Sequence, residues 1–404
     1  MAGIPMTPSS LHLAVALDGT GWHPAAWRES EARPDDLFTA GYWADLVQTA
    51  ERGRLDFVTI EDGLALQSSR MSRVDGRTDQ VRGRLDAVLI AARVAPVTRK
   101  VGLVPSVTVT HTEPFHVSKA IATLDYVSSG RAGVRVQISA RSHEAAHFGR
   151  RRLPDKLYRD RDRPENTALL DDLFEEAGDY VEVVRRLWDS WEDDAEIRDS
   201  DTGRFVDRDR LHYIDFQGRF FSVRGPSITP RPPQGQPPVT ALAHSTVPYR
   251  FAAQHADVVY VTPFDEEQAA RIVAEVRGEH QITRRASSEL KIFAELVVFV
   301  DDSEIAARDR KSRLDDLDGA EYRSDAHVFA GTPLQLADLV AAWVAAGLDG
   351  VRLRPGALPH DLDAIVSGLV PEVQGRGLFR RDYTTATLRG HLGLTRPANR
   401  YAAV

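Results

Sequence analysis

His143 and His147 stand four residues apart with Glu144 beside the first, in the order His-Glu-x-x-His. On a helix that spacing puts both imidazoles on one face, where they can hold zinc while the carboxylate serves as general base. Gly149, the arginines at 150–152 and Pro154 follow at once, which leaves little room for a helix. The competing reading is a loop or short helix over a substrate site, with one histidine facing inward. A second candidate is Ser245, in His244-Ser245-Thr246-Val247-Pro248-Tyr249-Arg250. Hydroxyl and free N–H groups at a helix start suit a phosphate or an ordinary cap. Trp22, His23 and Trp27 form a third group, able either to wall a pocket or to anchor a loop.

More polar residues follow short apolar runs: Asp18, Glu61, Asp62, Thr108, Thr110, His111, Ser139, Thr262 and Arg354. Those runs read as strands over 11–17, 55–60, 101–109, 133–139, 239–243, 257–262, 292–300 and 350–353. Stretches of helical period lie between most of them, one of them opened by Pro114 and stopped at Ser129-Gly130. Such alternation predicts a closed parallel barrel or a doubly wound sheet. The first strand ends in Asp18-Gly19-Thr20-Gly21-Trp22 and lacks Gly-x-Gly-x-x-Gly, and no Walker-type loop occurs. The expected fold is therefore α/β, a (β/α)8 TIM barrel with insertions, which gathers the strands' carboxyl ends at one mouth. Residues 1–404 read as one domain, with insertions at about 141–166, 200–237 and 318–330 and a C-terminal tail over 378–404. A hairpin is expected over 205–223, around Gln217-Gly218.

Composition narrows the chemistry. Of 404 residues 42% are apolar, enough for a large core, and the net charge of -8 disfavours binding along a nucleic-acid backbone. There are no cysteines, so thiolate catalysis, iron–sulfur clusters and Cys-based zinc sites are excluded. The arginines from 150 to 163 are matched by nearby acids and read as a solvated face. No apolar run reaches the length of a membrane span, and Met1–Ser10 lacks the pattern of a secretory leader; the expectation is a cytoplasmic protein.

Longer stretches carry a resemblance. They are Glu113-Pro114-Phe115-His116-Val117-Ser118-Lys119 running on to Arg131-Ala132-Gly133, Tyr180-Val181-Glu182-Val183-Val184 with Leu187-Trp188-Asp189-Ser190-Trp191, Phe216-Gln217-Gly218-Arg219-Phe220, and Thr387-Leu388-Arg389-Gly390-His391. In these the chain resembles the bacterial luciferase-like flavin monooxygenases, in their nitrilotriacetate and long-chain alkane monooxygenase branch. The resemblance implies a barrel, reduced FMN delivered by a separate NAD(P)H-dependent flavin reductase, O2 as oxidant, a small organic substrate and a homo-oligomer. By position it implies that Asp62 lies near the flavin ring, that Thr108 and Thr110 contact it, and that Ser245 binds phosphate with help from Arg250. His111 and Glu113 fall where a histidine lines the mouth, and with Arg135 they are the candidates for handling substrate or protons. The chain departs from the family at Val134-Arg135, where Trp-Asn is usual; Arg135 places a cation by the flavin or meets an acidic substrate. Alternatives on the same fold are hydride transfer with the deazaflavin F420, a zinc hydrolase through His143, Glu144 and His147, and a barrel that binds without catalysis.

Overall fold

Leu13, Val15 and Leu17 alternate with His12, Ala14 and Ala16, and this period of two sorts the strand into an outer and an inner face. In the computed structural model, which describes residues 11–68, 74–283, 285 and 289–402, eight such strands form a closed ring. They are β1 (His12–Leu17), β2 (Phe57–Ile60), β3 (Gly102–Thr108), β4 (Val134–Gln137), β5 (Val239–Leu242), β6 (Val258–Val261), β7 (Lys291–Val300) and β8 (Gly350–Pro355). Each pairs in parallel with the next, and β8 pairs back onto β1 with His12 opposite Gly350. The barrel expected from the alternation is the observed fold. Met1–Ser10 lies outside the described residues, and among those described no helix is long and apolar enough to cross a membrane.

The outer faces pack on the surrounding helices through Trp43, Leu46, Ala91, Trp188 and Trp343. Side chains of Thr39, Asp86, Asp265, Ser303 and Thr332 cap five of those helices. The inner faces meet at Ala14, Phe57, Val104, Val258, Tyr260 and Phe293, and Leu388, Leu392 and Leu394 of the tail complete that cluster. Burying each leucine contributes roughly 2 kcal/mol. A Cβ on Gly102 would stand 2.6 Å from Leu388, so β3 must begin with glycine to admit the plug. The tail thus closes the amino-terminal end of the barrel and leaves chemistry to the other end.

Two local expectations change, and two details are added. A ninth strand, His327–Gly331, extends β7 beyond the ring where an insertion was expected; its residues are mostly half-buried, so its apolar signal is weak. The hairpin expected over 205–223 around Gln217-Gly218 is present but short, Phe216–Gln217 with Ser222–Val223, and its first part instead joins a second ribbon, Glu196–Asp199 with Arg204–Val206. A helical turn at Arg208–Arg210, capped by Asp207, breaks the run between them. The stretch at 141–166 contains a short helix, Ser142–Phe148, one of the forms expected for it. Between β2 and the helix Ala87–Val94, the described residues 63–68 and 74–86 form no helix or strand.

Candidate active site at the barrel mouth

Strand alternation carries Thr59 and Glu61, Ser106 and Thr108, Arg135 and Gln137, Glu295, Arg352 and Arg354 to the inner face. There they form one ionic network. Arg135 Nη1 donates to Glu61 at 3.1 Å, Ser106 at 3.1 Å and Gln137 at 3.0 Å. Arg352, fully buried over the Tyr260 ring, donates to Thr59 at 2.9 Å and pairs with both Glu61 and Glu295. Arg354 pairs with Glu295 below and with Asp325 at 2.6 Å above, its guanidinium 4.4 Å from the Trp22 ring centre. Asp325 reaches His244 Nε2 at 3.3 Å, and His244 Nδ1 accepts from Thr262 at 3.0 Å. Burial alone would raise the Glu61 pKa; Arg135, Arg352, Arg354 and Arg84 overcome it and hold the carboxyl at about 2. Burial lowers the arginine pKa of Arg354 to about 9, with Arg135 adding like-charge repulsion. Ions this deep persist only while every partner stays in place.

Trp22 reaches the mouth because Gly21, at φ +131°, passes so close to Gly356 that a Cβ would lie 2.4 Å from its carbonyl oxygen. His23 instead anchors the loop, bonding Asp315 at 3.0 Å and accepting from Ala25 N–H. Trp27 donates to the Asp79 carbonyl. Asp18 is clasped by Arg84 at 2.6 Å, which narrows the rim to a cleft beside Glu61 and Trp43.

The remaining expected residues divide. Thr108 shares the inner face with Ser106. Thr110 accepts the Ser139 N–H at 2.8 Å and so ties the ends of β3 and β4 together. Asp62 points away from the barrel interior, its carboxylate accepting from Gly63 N–H at 2.6 Å and Ala87 N–H at 2.9 Å; burial raises its pKa. His111 is buried and stacked 5.2 Å from Phe148, its pKa lowered chiefly by burial. Glu113 sits on the exposed side and pairs with Arg150. Ser245 is exposed at the start of the helix Thr246–His255, and its side chain makes no cap bond. Arg250, one helical turn on, is engaged by Glu279 at 3.1 Å and is not brought to the network. Glu144 is fully buried and bonded to Arg141 at 3.0 Å, whereas His147 is exposed. Among the described residues no group of three His, Asp or Glu side chains is placed to hold a metal.

Glu295, Arg352 and Asp325 are members that sequence reasoning left out, and Glu61 is legible only together with its neighbour Asp62. For two of the three a signal existed: Arg352 alternates, like Arg354, with Val351 and Leu353, and Glu295 interrupts the apolar run 292–300 on the face of Phe293. Asp325 had none, since the strand that positions it was unexpected.

The fit to a flavin can be judged from the network itself. Arg135 Nε, Arg354 Nε and His111 Nε2 are buried without a hydrogen-bond partner. A planar ring system bearing carbonyl oxygens and ring nitrogens supplies the acceptors such groups lack.

Fold and mouth together define a barrel enzyme with one plugged end and a charged, functional one. The chain belongs to the luciferase-like monooxygenases: the family model of that description matches residues 20–328. It is 31% identical to N-acetyl-S-(2-succino)cysteine monooxygenase of Bacillus subtilis (strain 168) and 30% identical to nitrilotriacetate monooxygenase component A of Aminobacter aminovorans. Each alignment spans 97% of this chain and 98% of the relative. Among solved structures, EDTA monooxygenase from Chelativorans sp. BNC1 shares the fold with a TM-score of 0.80 at 22% identity, over 96% of this chain and 98% of that one. A riboflavin lyase holding a modified FMN shares it with a TM-score of 0.81 at 23% identity, over 96% and 97%.

Proposed function

We propose that the chain is the oxygenase of a two-component system: it takes reduced FMN from a separate NAD(P)H-dependent reductase and uses O2 to oxidise a small organic substrate. The observation that carries this reading is the set of unpartnered buried nitrogens at the mouth, in a chain aligned end to end with monooxygenases. Bound there, the flavin supplies oxygen activation. The protein's part is positioning, water exclusion and proton handling.

In this reading Arg135 and Thr108 meet the ring, and Ser245 with the first turn of its helix takes the phosphate. His111, neutral at pH 7 because burial lowers its pKa, has Nε2 free to give or take a proton. Asp62 and Thr110 act through the loops they fasten, and Glu113 with Arg150 secures the rim beside His111. The Arg84–Asp18 clasp must open to admit a three-ring ligand and recloses to keep water out. The chain acts as one domain in a homo-oligomer, in the cytoplasm beside its reductase. The test is oxygen uptake with a flavin reductase, NADH and FMN, against reduced F420 as the alternative donor. Uptake that depends on FMN supports the reading; substrate reduction by F420 without oxygen overturns it.

A further inference from the structure

We infer that Arg354 and His244 form an oxyanion site at the barrel mouth, which Asp325 occupies with its own carboxylate until an anionic group of the ligand replaces it. This rests on the monooxygenase reading of the same mouth and adds to it the charge of what binds there.

The first argument is charge balance. The inner face carries three cations, Arg135, Arg352 and Arg354, against two buried carboxylates, Glu61 and Glu295. Asp325 provides the third negative charge from outside the ring. If it withdraws, a buried guanidinium is left with one net positive charge, and water replaces an anion poorly at such a site.

The second argument is geometry. Asp325 Oδ1 lies 2.6 Å from Arg354 Nη1, and its Oδ2 lies 3.4 Å from Nη2 and 3.3 Å from His244 Nε2. One carboxylate therefore spans a guanidinium fork and an imidazole, the arrangement by which proteins hold carboxylates and phosphates. The Asp325 carboxylate can only accept, so His244 Nε2 is the donor toward it, and Nδ1 is left to the Thr262 hydroxyl. Trp22 holds the guanidinium plane from the side.

The third argument is asymmetry. The Arg354 side chain is 3% exposed and the Glu295 side chain 0%, so neither can leave, while that of Asp325 is 46% exposed. Asp325 sits in the connection from the helix Glu304–Asp318 to the strand His327–Gly331; its own carboxylate is already half in water, so the cost of its leaving falls on Arg354 and is met when another anion takes its place. It is the exchangeable partner. The incoming group is an oxyanion, either a substrate carboxylate or the phosphate of the flavin, since Ser245 adjoins His244.

Calorimetric titration with succinate, inorganic phosphate, FMN and riboflavin, on the natural chain and on Asp325→Asn, tests the inference. Removing the resident carboxylate is expected to tighten the anion that uses the site about tenfold, the factor lost when a competitor holds roughly nine molecules in ten. Tightening of succinate alone assigns the site to a substrate carboxylate. Tightening of FMN but not riboflavin assigns it to the flavin phosphate. In either case adding His244→Gln should reverse most of the gain. Changes below twofold for succinate, phosphate and FMN overturn the inference. The succinate and phosphate arms contain no flavin, so this result is independent of whether reduced FMN binds.

Discussion

Replacing Glu61 by Gln removes the charge that joins Arg135 to Arg352 while leaving the side chain's shape. A carboxyl held at about 2 rather than 4.5 stabilises the folded chain by about 3 kcal/mol at pH 7. Breaking a buried ion pair gives a similar figure, about 3–5 kcal/mol. With unfolding entropy near 2.1 cal/mol/K per residue, the whole chain loses about 0.8 kcal/mol of stability per degree at its midpoint, so Tm should fall by about 4–6 °C. The sign of the pH dependence follows from the lowered pKa. The Glu61 contribution is complete above the unfolded value of 4.5 and is lost as pH falls towards 2. About 1 kcal/mol of it is gone by pH 4. Scanning calorimetry of both chains at pH 7, 5 and 4 should therefore show a gap that narrows with acid. A fall below about 1 °C at pH 7, or a gap indifferent to pH, would refute the electrostatic account of the barrel interior.

Other outcomes follow from the site. Ser245→Glu should weaken FMN at least about tenfold through like-charge repulsion while leaving riboflavin within about twofold, as read by fluorescence titration. Arg250→Ala should shift FMN affinity by less than about twofold, because its guanidinium serves an exposed pair with Glu279. Arg84→Ala should speed reduced-flavin association in stopped flow by releasing Asp18 from the clasp; an unchanged rate would show that the clasp does not limit entry. Replacing His143 and His147 together by Ala should leave oxygen uptake within about threefold and remove no stoichiometric zinc by elemental analysis; loss of bound zinc would reinstate the hydrolase reading.

The barrel was legible because its signal repeats: eight apolar runs, each followed by a polar residue, with no nucleotide-binding turn after the first. The mouth was legible only in part. Taking the residues that follow each run found Arg354 and His244 but did not separate Glu61 from Asp62. The pleat decides that: residue 61 continues the inner face of Thr59, and residue 62 turns out to cap a helix. Arg135 stood out against the family pattern, yet its partners come from β2, β3 and its own strand, and no local spacing relates Glu61 or Ser106 to it. Sequence proximity of Arg250 to Ser245 says nothing about helix face, and its pairing with Glu279 of the next helix had no signal in the sequence. The short helix at Ser142–Phe148 formed despite the glycine and arginines behind it, since Glu144 and Ala145 are buried beneath it.

Anaerobic titration of the chain with reduced FMN, followed by the flavin's absorbance and fluorescence, bears most directly on what this barrel is for. Saturable one-to-one binding at low micromolar concentration, weakened in Arg135→Gln, is the expected result. No binding at tens of micromolar in the correctly folded chain would contradict the assignment of the mouth to a flavin.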